Sequence, residues 1–523
     1  MEAKPESGSG NGGDTREMKH AKNHLHLAEI LEGMEGIRVS GHANVQIDSV
    51  ACDSRKVTRG ALFFALPGIK LDGLQFVKDA IARGAVGVAS PHARPVDVPT
   101  DFPWIELPTG KERRALATAA ANIYGHPAAA LKLVGLTGTN GKTTTTFLVD
   151  SILREAGFTT GLVGTTGYRT PKGSREALNT TPESLDLQQM FAEVRDAGGT
   201  HAVLEASSHA LAMDRLWGCH FAVAIFTNLT RDHLDYHKNF EEYFAAKRLL
   251  FEGTGAGAPD SAVINADDAY ATRLEGLANR TLTYGLQGAA DLTTKKFEPS
   301  FHGLEFTAQT PAGKIEVRSP LVGRINVYNI LAAIGAGVAL EIPNAKIEEG
   351  IAKLELVPGR FQRIDEGQPF LVVVDYAHTD DALRNLVTTA RELSPTGRII
   401  TVFGAGGDRD RMKRPLMGEA AGSLSDLVVL TSDNPRGEDP LRIINDVVVG
   451  LQKVNAKYRI EADREQALEL ALEEARPGDI VLLAGKGHET YQVLRDGTVD
   501  FDDREKARAI LRRKGYSKKP PVR

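Results

Sequence analysis

Short apolar runs closed by turn residues alternate along the chain with longer stretches of helical period. That is the pattern of mainly parallel sheets covered on both faces. Residues 61–66 (ALFFAL) read as a buried strand closed by Pro67 and Gly68, residues 76–83 as a helix and residues 86–89 as another strand. His126 and Pro127 then break the pattern. A buried strand is expected at 131–136 (LKLVGL), followed by a glycine-rich turn and a helix over 143–156. Further strands are expected at 202–204, 223–226 and 262–265, with a helix over 243–251. Val357, Pro358 and Gly359 mark the next boundary. Beyond it, strands at 371–374, 399–403, 427–430 and 480–483 alternate with amphipathic helices, as in a second doubly wound α/β domain.

In such sheets ligands sit beyond the carboxyl ends of the strands. Each of the last four expected strands runs directly into a polar motif: DYAH, GAGGDRD, TSDNPR and AGKGHE. The most specific single signal lies earlier, in Gly138, Thr139, Asn140, Gly141, Lys142, Thr143 and Thr144. This string follows a strand and opens a helix, the context of a phosphate-binding loop. Glycines let backbone N–H groups turn toward an anion, and the helix N-terminus adds partial positive charge. Lys142 can neutralise terminal phosphates, and Thr143 can offer its hydroxyl to Mg²⁺. The loop is a variant, because Leu136 stands where the strict pattern has glycine.

Two more loops should leave the same sheet, one at Glu205 (EASSH) and one through His233 (TNLTRDHLD). Mg²⁺ takes hard oxygen ligands and shares phosphate oxygens. Glu205 and Thr143 are therefore candidate ligands, with His233 or His209 nearby; either histidine could instead only hydrogen-bond the loops.

Composition narrows the classes. The 523 residues exceed one ordinary core, so several domains are expected. A net charge of −5 speaks against nucleic acid or an anionic membrane as partner, while leaving room for a small anionic ligand. The two cysteines, Cys52 and Cys219, form no zinc site or disulfide framework and suit a reduced cytoplasmic protein. No run of apolar residues is long enough to span a membrane. The polar, glycine-rich stretch 1–22 lacks a signal peptide's apolar core and is expected to be a disordered tail.

Taken in order, GTNGKTTT, EASSHAL, FTNLTRDHLDYH, GRINVYNILAA, VPGRF, VDYAHT, GGDRDRMKRPLM, DNPR and AGKGHE resemble the Mur ligases over about residues 45–505. Within that family the chain looks like the members that add meso-diaminopimelate. The resemblance implies an α/β protein of three domains: a small N-terminal α/β domain for the UDP end (23–130), a central P-loop ATPase-type parallel sheet (131–357) and a Rossmann-like C-terminal domain (358–523) for the amino acid. It implies ATP and Mg²⁺, with UDP-MurNAc-L-Ala-D-Glu and meso-diaminopimelate as substrates, and an acyl phosphate between them. A cytoplasmic monomer is expected.

By matching position, Ser54 would meet the uridine. Asn179, Thr180, Thr181, Ser207 and Arg215 would hold the sugar-peptide. Lys247 would be carbamylated and, as an oxygen anion, hold metal with Thr143, Glu205 and His233. Asn329, Arg360, Asp375 and His378 would close over ATP. Arg409, Asp433, Asn434, Pro435, Arg436, Gly485 and Glu489 would select the amino acid. The chemistry of that last set is legible: the arginines can grip the distal carboxylate and the acids can receive the ammonium. The chain departs from the family pattern at Met213, where glutamine is usual, and at Asp380, where proline is usual.

Overall fold

The computed structural model describes residues 24–68 and 71–517; the expected tail at 1–22 lies outside the described residues. Contacts divide the chain into two compact units, Met1–Ala115 and Leu116–Arg523.

The first unit is built on a five-stranded sheet in the order Arg38–Ser40, Trp104–Glu106, Ala85–Ser90, Ala61–Phe64 and Ser49–Ala51. All its pairs are parallel except the first. Phe63, Val77, Val88 and Trp104 form its core. The strand expected over 61–66 stops at Phe64, because the Leu66 carbonyl turns to accept from Gly73 N–H. The helix expected over 76–83 is a 3₁₀ turn, Gly73–Phe76, running into Val77–Ala82. Asp72 starts the turn by accepting from Leu74 N–H at 2.8 Å.

The second unit holds two larger sheets. The eight-stranded one runs Gly173–Arg175, Gly167–Thr170, Thr160–Gly164, His201–Glu205, Lys132–Thr137, Phe221–Phe226, Ser261–Asn265 and Arg280–Tyr284. Its strands are parallel except for the hairpin at the Gly173 edge. Helices Lys142–Glu155 and Arg324–Ala339 cover one face, burying Leu148, Ile152, Ile330 and Ile334. Helices Ser184–Asp196 and Phe240–Glu252 cover the other with Leu187, Phe191, Phe244 and Leu250. Burial on both faces explains why these strands read as unbroken apolar runs. A separate antiparallel sheet, Glu298–Ser300, Gly303–Thr310 and Gly313–Ser319, has no counterpart among the expected elements.

The six-stranded sheet runs Gln362–Ile364, Leu371–Asp375, Ile480–Ala484, Ile399–Phe403, Leu427–Leu430 and Tyr458–Ile460. It is parallel apart from its first strand. Its two faces bury separate clusters around Val387, Phe403 and Val447, and around Val402, Leu468 and Ile510. No described helix is long and apolar enough to cross a membrane.

Candidate active site

Register decides which loops meet. Strand Lys132–Thr137 lies between His201–Glu205 and Phe221–Phe226, with Glu205 beside Leu136 and Phe226 beside Thr137. The phosphate-type loop, the EASSH loop and the TNLTRDHLD loop therefore emerge side by side from one edge. In the second sheet Asp375 pairs with Ala484, Val402 with Leu483, and Phe403 with Leu430, so the four C-terminal motifs also share an edge.

The loop 138–144 has the backbone its glycines were expected to supply. Gly138 has φ 141° and Gly141 φ 88°. A Cβ on Gly138 would lie 1.9 Å from Thr227 Oγ1, and one on Gly141 2.4 Å from Asn329 Oδ1, so neither position has room for a side chain. Helix Lys142–Glu155 starts at this point. Lys142 Nζ donates to the carbonyls of Gly138 and Thr139 at 3.0 and 2.9 Å. Thr139 Oγ1 accepts from Thr230 N–H at 3.0 Å, and Asn140 N–H donates to Asn228 Oδ1 at 2.9 Å, tying the loop to its neighbour.

A cleft of about 220 Å³ opens over this edge. Among its lining residues are Thr139, Asn140, Gly141, Lys142, Thr143, Thr144, Thr180, Glu205, Ser207, His233, Lys247, Asn329, Arg360, Asp375 and His378, a large part of the set named from sequence. Glu205 is buried and accepts from Thr165 N–H at 2.9 Å and Thr165 Oγ1 at 3.1 Å. Lys247 is also buried, donates to the Gly138 carbonyl at 2.6 Å, and lies 4.3 Å from the centre of the Tyr243 ring. Burial, and then the Lys142 charge, hold the Lys247 ammonium well below its usual pKa. The charged form is thus disfavoured there. Arg360 Nη2 donates to Thr143 Oγ1 at 3.0 Å and its guanidinium stacks 4.6 Å from the Tyr376 ring centre. Asp375 accepts from Phe361 and Ala377 N–H groups at 2.7 and 2.8 Å, and burial raises its pKa against the pull of Arg360. Asn329 Nδ2 donates to Asn326 Oδ1 at 2.9 Å.

His233 has a left-handed backbone, φ 54°, which turns it beside Asp232, with Nε2 3.4 Å from Asp232 Oδ2. Asp232 is a hub that the sequence reading passed over. Its carboxylate also faces His378 at 3.8 Å and Lys413 at 3.9 Å. Burial opposes its ionisation, but His233, His378 and Lys413 beside it hold its pKa below the carboxylate range. Burial pushes the pKa of His233, His209 and His378 down, which favours neutral rings. His209 stacks on Tyr236 with ring centres 4.2 Å apart. Tyr236, Asp232 and Lys413 lie in motifs already named, whereas Thr165 lies in none; the sequence does not show which side chains they touch.

The NTT string is drawn to the same edge. Thr181 Oγ1 donates to the Glu205 carbonyl at 2.6 Å and Thr180 Oγ1 lies 3.1 Å from Thr165 Oγ1. Asn179 is exposed, its carbonyl accepting from Tyr168 OH. Ser207 caps the short helix Ser208–Ala212. Arg215 holds the string from behind, donating to the Thr181 carbonyl at 2.8 Å and pairing with Glu183 at 2.7 Å. Met213 ends that short helix. Asp380 opens helix Asp380–Leu393, which Thr379 caps, so the departure from proline leaves the helix start in place. Ser54 is buried at the start of a 3₁₀ turn in the other compact unit, Asp53 capping it.

At the second edge Asp433, Asn434, Arg436, Gly485 and Glu489 converge, while Arg409 is exposed and donates to the Asp408 carbonyl at 3.0 Å. Asn434 Nδ2 donates to Glu489 Oε2 at 3.0 Å. Arg436, at φ 52°, donates to the Gly407 carbonyl at 2.9 Å. A Cβ on Gly407 would lie 1.9 Å from the Pro435 carbonyl oxygen, so Pro435 seals that turn. Gly485 has φ 110°, which only glycine adopts freely, and lies against Asp433. The residue missing from the sequence reading is Lys486. It is fully buried between Asp433 at 3.5 Å, Glu489 at 3.2 Å and Asn434 Oδ1 at 3.1 Å. Burial and then Asp433 raise the Glu489 pKa, with Lys486 opposing them. Lys486 sits inside AGKGHE, a motif in which nothing local marks this lysine as buried.

Among the described residues no three His, Cys, Asp or Glu side chains group as a metal cage. The Thr143 hydroxyl and Glu205 carboxylate are hard oxygen donors on one cleft. They fit a magnesium ion that takes its remaining ligands from phosphate and water.

Comparison with known proteins agrees with this geometry. Residues 46–126 match the Mur ligase family catalytic domain, 136–337 the Mur ligase middle domain and 359–487 the Mur ligase glutamate ligase domain. A protein from Solibacter usitatus named UDP-N-acetylmuramoyl-L-alanyl-D-glutamate–2,6-diaminopimelate ligase is 54% identical over 94% of this chain and 99% of its own. One of the same name from Geobacillus thermodenitrificans is 43% identical over 93% and 99%. A solved structure of a ligase with that name superposes with a TM-score of 0.65 at 33% identity, covering 94% of this chain and 100% of its own. The MurF ligase of Thermotoga maritima, solved with ADP, shares the fold at a TM-score of 0.63, 19% identity and coverage of 89% and 98%.

Proposed function

The chain belongs to the Mur ligase family, and from that premise we propose that the cleft joins meso-diaminopimelate to the D-Glu γ-carboxylate of UDP-MurNAc-L-Ala-D-Glu. The protein is an ATP-dependent amide-forming ligase of peptidoglycan precursor synthesis. The domains of the proposal are 23–130 for the UDP end, 131–357 for ATP and 358–523 for the amino acid. A cytoplasmic monomer belongs to the same proposal, and sedimentation of the purified chain checks it.

In this reading the γ-carboxylate attacks the γ-phosphate of ATP, releasing ADP and leaving an acyl phosphate. The amine of meso-diaminopimelate then attacks the acyl carbon, and the tetrahedral adduct collapses to amide and phosphate. The first step brings together two anions, so cations and positioning supply the catalysis. Lys142 and the loop N–H groups receive the phosphates. Arg360 reaches Thr143 from the C-terminal domain and would lie along the triphosphate. Asp375, Asn329 and His378 border the rest of the nucleotide. Thr143, Glu205, His233 and carbamylated Lys247 would hold Mg²⁺, which neutralises and orients the phosphates when bound. The neutral Lys247 amine, the form that burial favours, adds CO₂: the N–C bond forms and the nitrogen releases a proton. Isotope-labelled bicarbonate followed by carbon NMR tests this, and a spectrum lacking a carbamate signal in the parent rejects it.

Asn179, Thr180, Thr181, Ser207 and Arg215 would hold the sugar-peptide, and Ser54 the uridine. Arg409, Arg436, Asp433, Asn434, Pro435, Gly485 and Glu489 would take the amino acid. A ligand presenting one carboxylate and one ammonium fills that set, whereas lysine, without the distal carboxylate, leaves the Arg436 guanidinium without an anion.

The observation that best supports the reading is the joint lining of one cleft by Lys142, Thr143, Glu205, Lys247 and Arg360. ADP release with the UDP-dipeptide precursor and each candidate amino acid in turn is the test. Release is expected to depend on both the precursor and meso-diaminopimelate. Equal release with lysine or D-alanyl-D-alanine overturns the substrate assignment.

A further inference from the structure

Arg464 and Asp503 form an ion pair with both side chains 0% exposed. They open two different helices, Arg464–Glu474 and Asp503–Arg513. The pair is two-pronged: Nε meets Asp503 Oδ1 at 2.8 Å and Nη2 meets Oδ2 at 2.6 Å. The guanidinium then uses its remaining reach on two backbone carbonyls, Ala484 at 3.0 Å and Ser432 at 3.4 Å. Ala484 is the last residue of its strand, just before Gly485, and Ser432 immediately precedes Asp433. One buried side chain therefore holds the roots of both loops that meet through Asp433, Asn434, Lys486 and Glu489.

Stability alone is a poor account of this arrangement. Taking two charges out of water costs about as much as their attraction returns, and apolar replacements of similar size are often neutral. What an apolar pair cannot do is fix the separation of two carbonyls. The planar guanidinium does this, because its donors point in set directions and Asp503 prevents rotation. We propose that Arg464, locked by Asp503, is a positioning residue that sets the spacing of the two loops and thereby the fit of the amino-acid substrate. This rests on the reading of those loops given above.

The test compares the double variant Arg464→Met/Asp503→Leu, which removes both charges and leaves neither stranded, with Arg464→Lys. Lysine keeps the charge but offers no planar fork. KM values for meso-diaminopimelate, ATP and the UDP-dipeptide are measured by ADP release, beside thermal unfolding. The expected result is a rise of about tenfold or more in the diaminopimelate KM of the double variant, with the other two KM values within about twofold and Tm near the parent. Arg464→Lys should show a smaller rise of the same kind. A folded double variant with the parental diaminopimelate KM, or one in which all three KM values rise together, overturns the proposal. If the double variant does not fold, Arg464→Lys decides, and a parental diaminopimelate KM there is equally fatal. A parent that releases no ADP with meso-diaminopimelate overturns the functional reading instead, a result visible without any variant.

Discussion

The two loop-bearing edges of the second unit share an architecture and differ in how they treat charge. At the central edge the lysines are held by backbone carbonyls: Lys142 by Gly138 and Thr139, Lys247 by Gly138. At the C-terminal edge the buried cations pair with carboxylates: Lys486 with Asp433 and Glu489, Arg464 with Asp503, and Arg414 with Glu438 and Asp446. A carbonyl orients an ammonium without cancelling its charge, so Lys142 keeps positive potential for an anion, while burial disfavours a charge on Lys247. A carboxylate partner cancels the charge, so the C-terminal edge presents both signs of charge and suits a zwitterion. Net charge over the whole chain carries no trace of this contrast.

The contrast breaks most sharply at Lys142. Lys142→Ala should lower ADP formation by about 10²–10³-fold or more while thermal unfolding stays near the parent; retained turnover would show that the unpaired cation does not serve phosphate. Lys486→Met should do the opposite, leaving two buried carboxylates without their cation and costing about 3–5 kcal/mol of stability, read by denaturant unfolding. The sign with pH follows from Glu489, whose folded pKa is raised by burial and by Asp433. Its contribution to stability is fully present below its unfolded pKa, near the ordinary glutamate value of 4.5, and is lost as pH rises through the higher folded value. The variant's stability deficit should therefore shrink in acid, and a pH-independent deficit would contradict the pairing.

Arg436→Ala sharpens the comparison by substrate. It should raise the diaminopimelate KM by about 10–100-fold, the range of one charged contact, and leave the ATP KM unchanged; equal loss of both would mean that the two edges are not separate in function. The smallest effect is expected at Asp381, which accepts from Asn140 Nδ2 at 2.6 Å and so links the C-terminal domain to the phosphate-type loop. Asp381→Ala should change the ATP KM by no more than about fivefold, the worth of one ordinary hydrogen bond.

Strands buried on both faces were the easiest part of the fold to read. The expected 399–403 and 427–430 coincide with Ile399–Phe403 and Leu427–Leu430, because a continuous apolar run between turns has few alternatives. The polar hairpin Gly167–Thr170 and Gly173–Arg175 escaped notice, since its second strand is exposed and offers no alternation to detect. Among site residues, Lys142 and Thr143 were legible from spacing alone. Lys247 was not: on its helix it reads as an ordinary lysine, and only the resemblance singled it out.

What the sequence determined by itself is local: a glycine-turned loop where a Cβ has no room, strands that must be covered, and motifs at strand ends. Tertiary structure decided the rest. Strand order set Glu205 and Phe226 on either side of the phosphate-type loop, burial lowered the proton affinity of Lys247, and packing drew Lys486 between Asp433 and Glu489. Electrostatic and desolvation energies depend on distance through space, and residues far apart along a chain acquire those distances only when it folds.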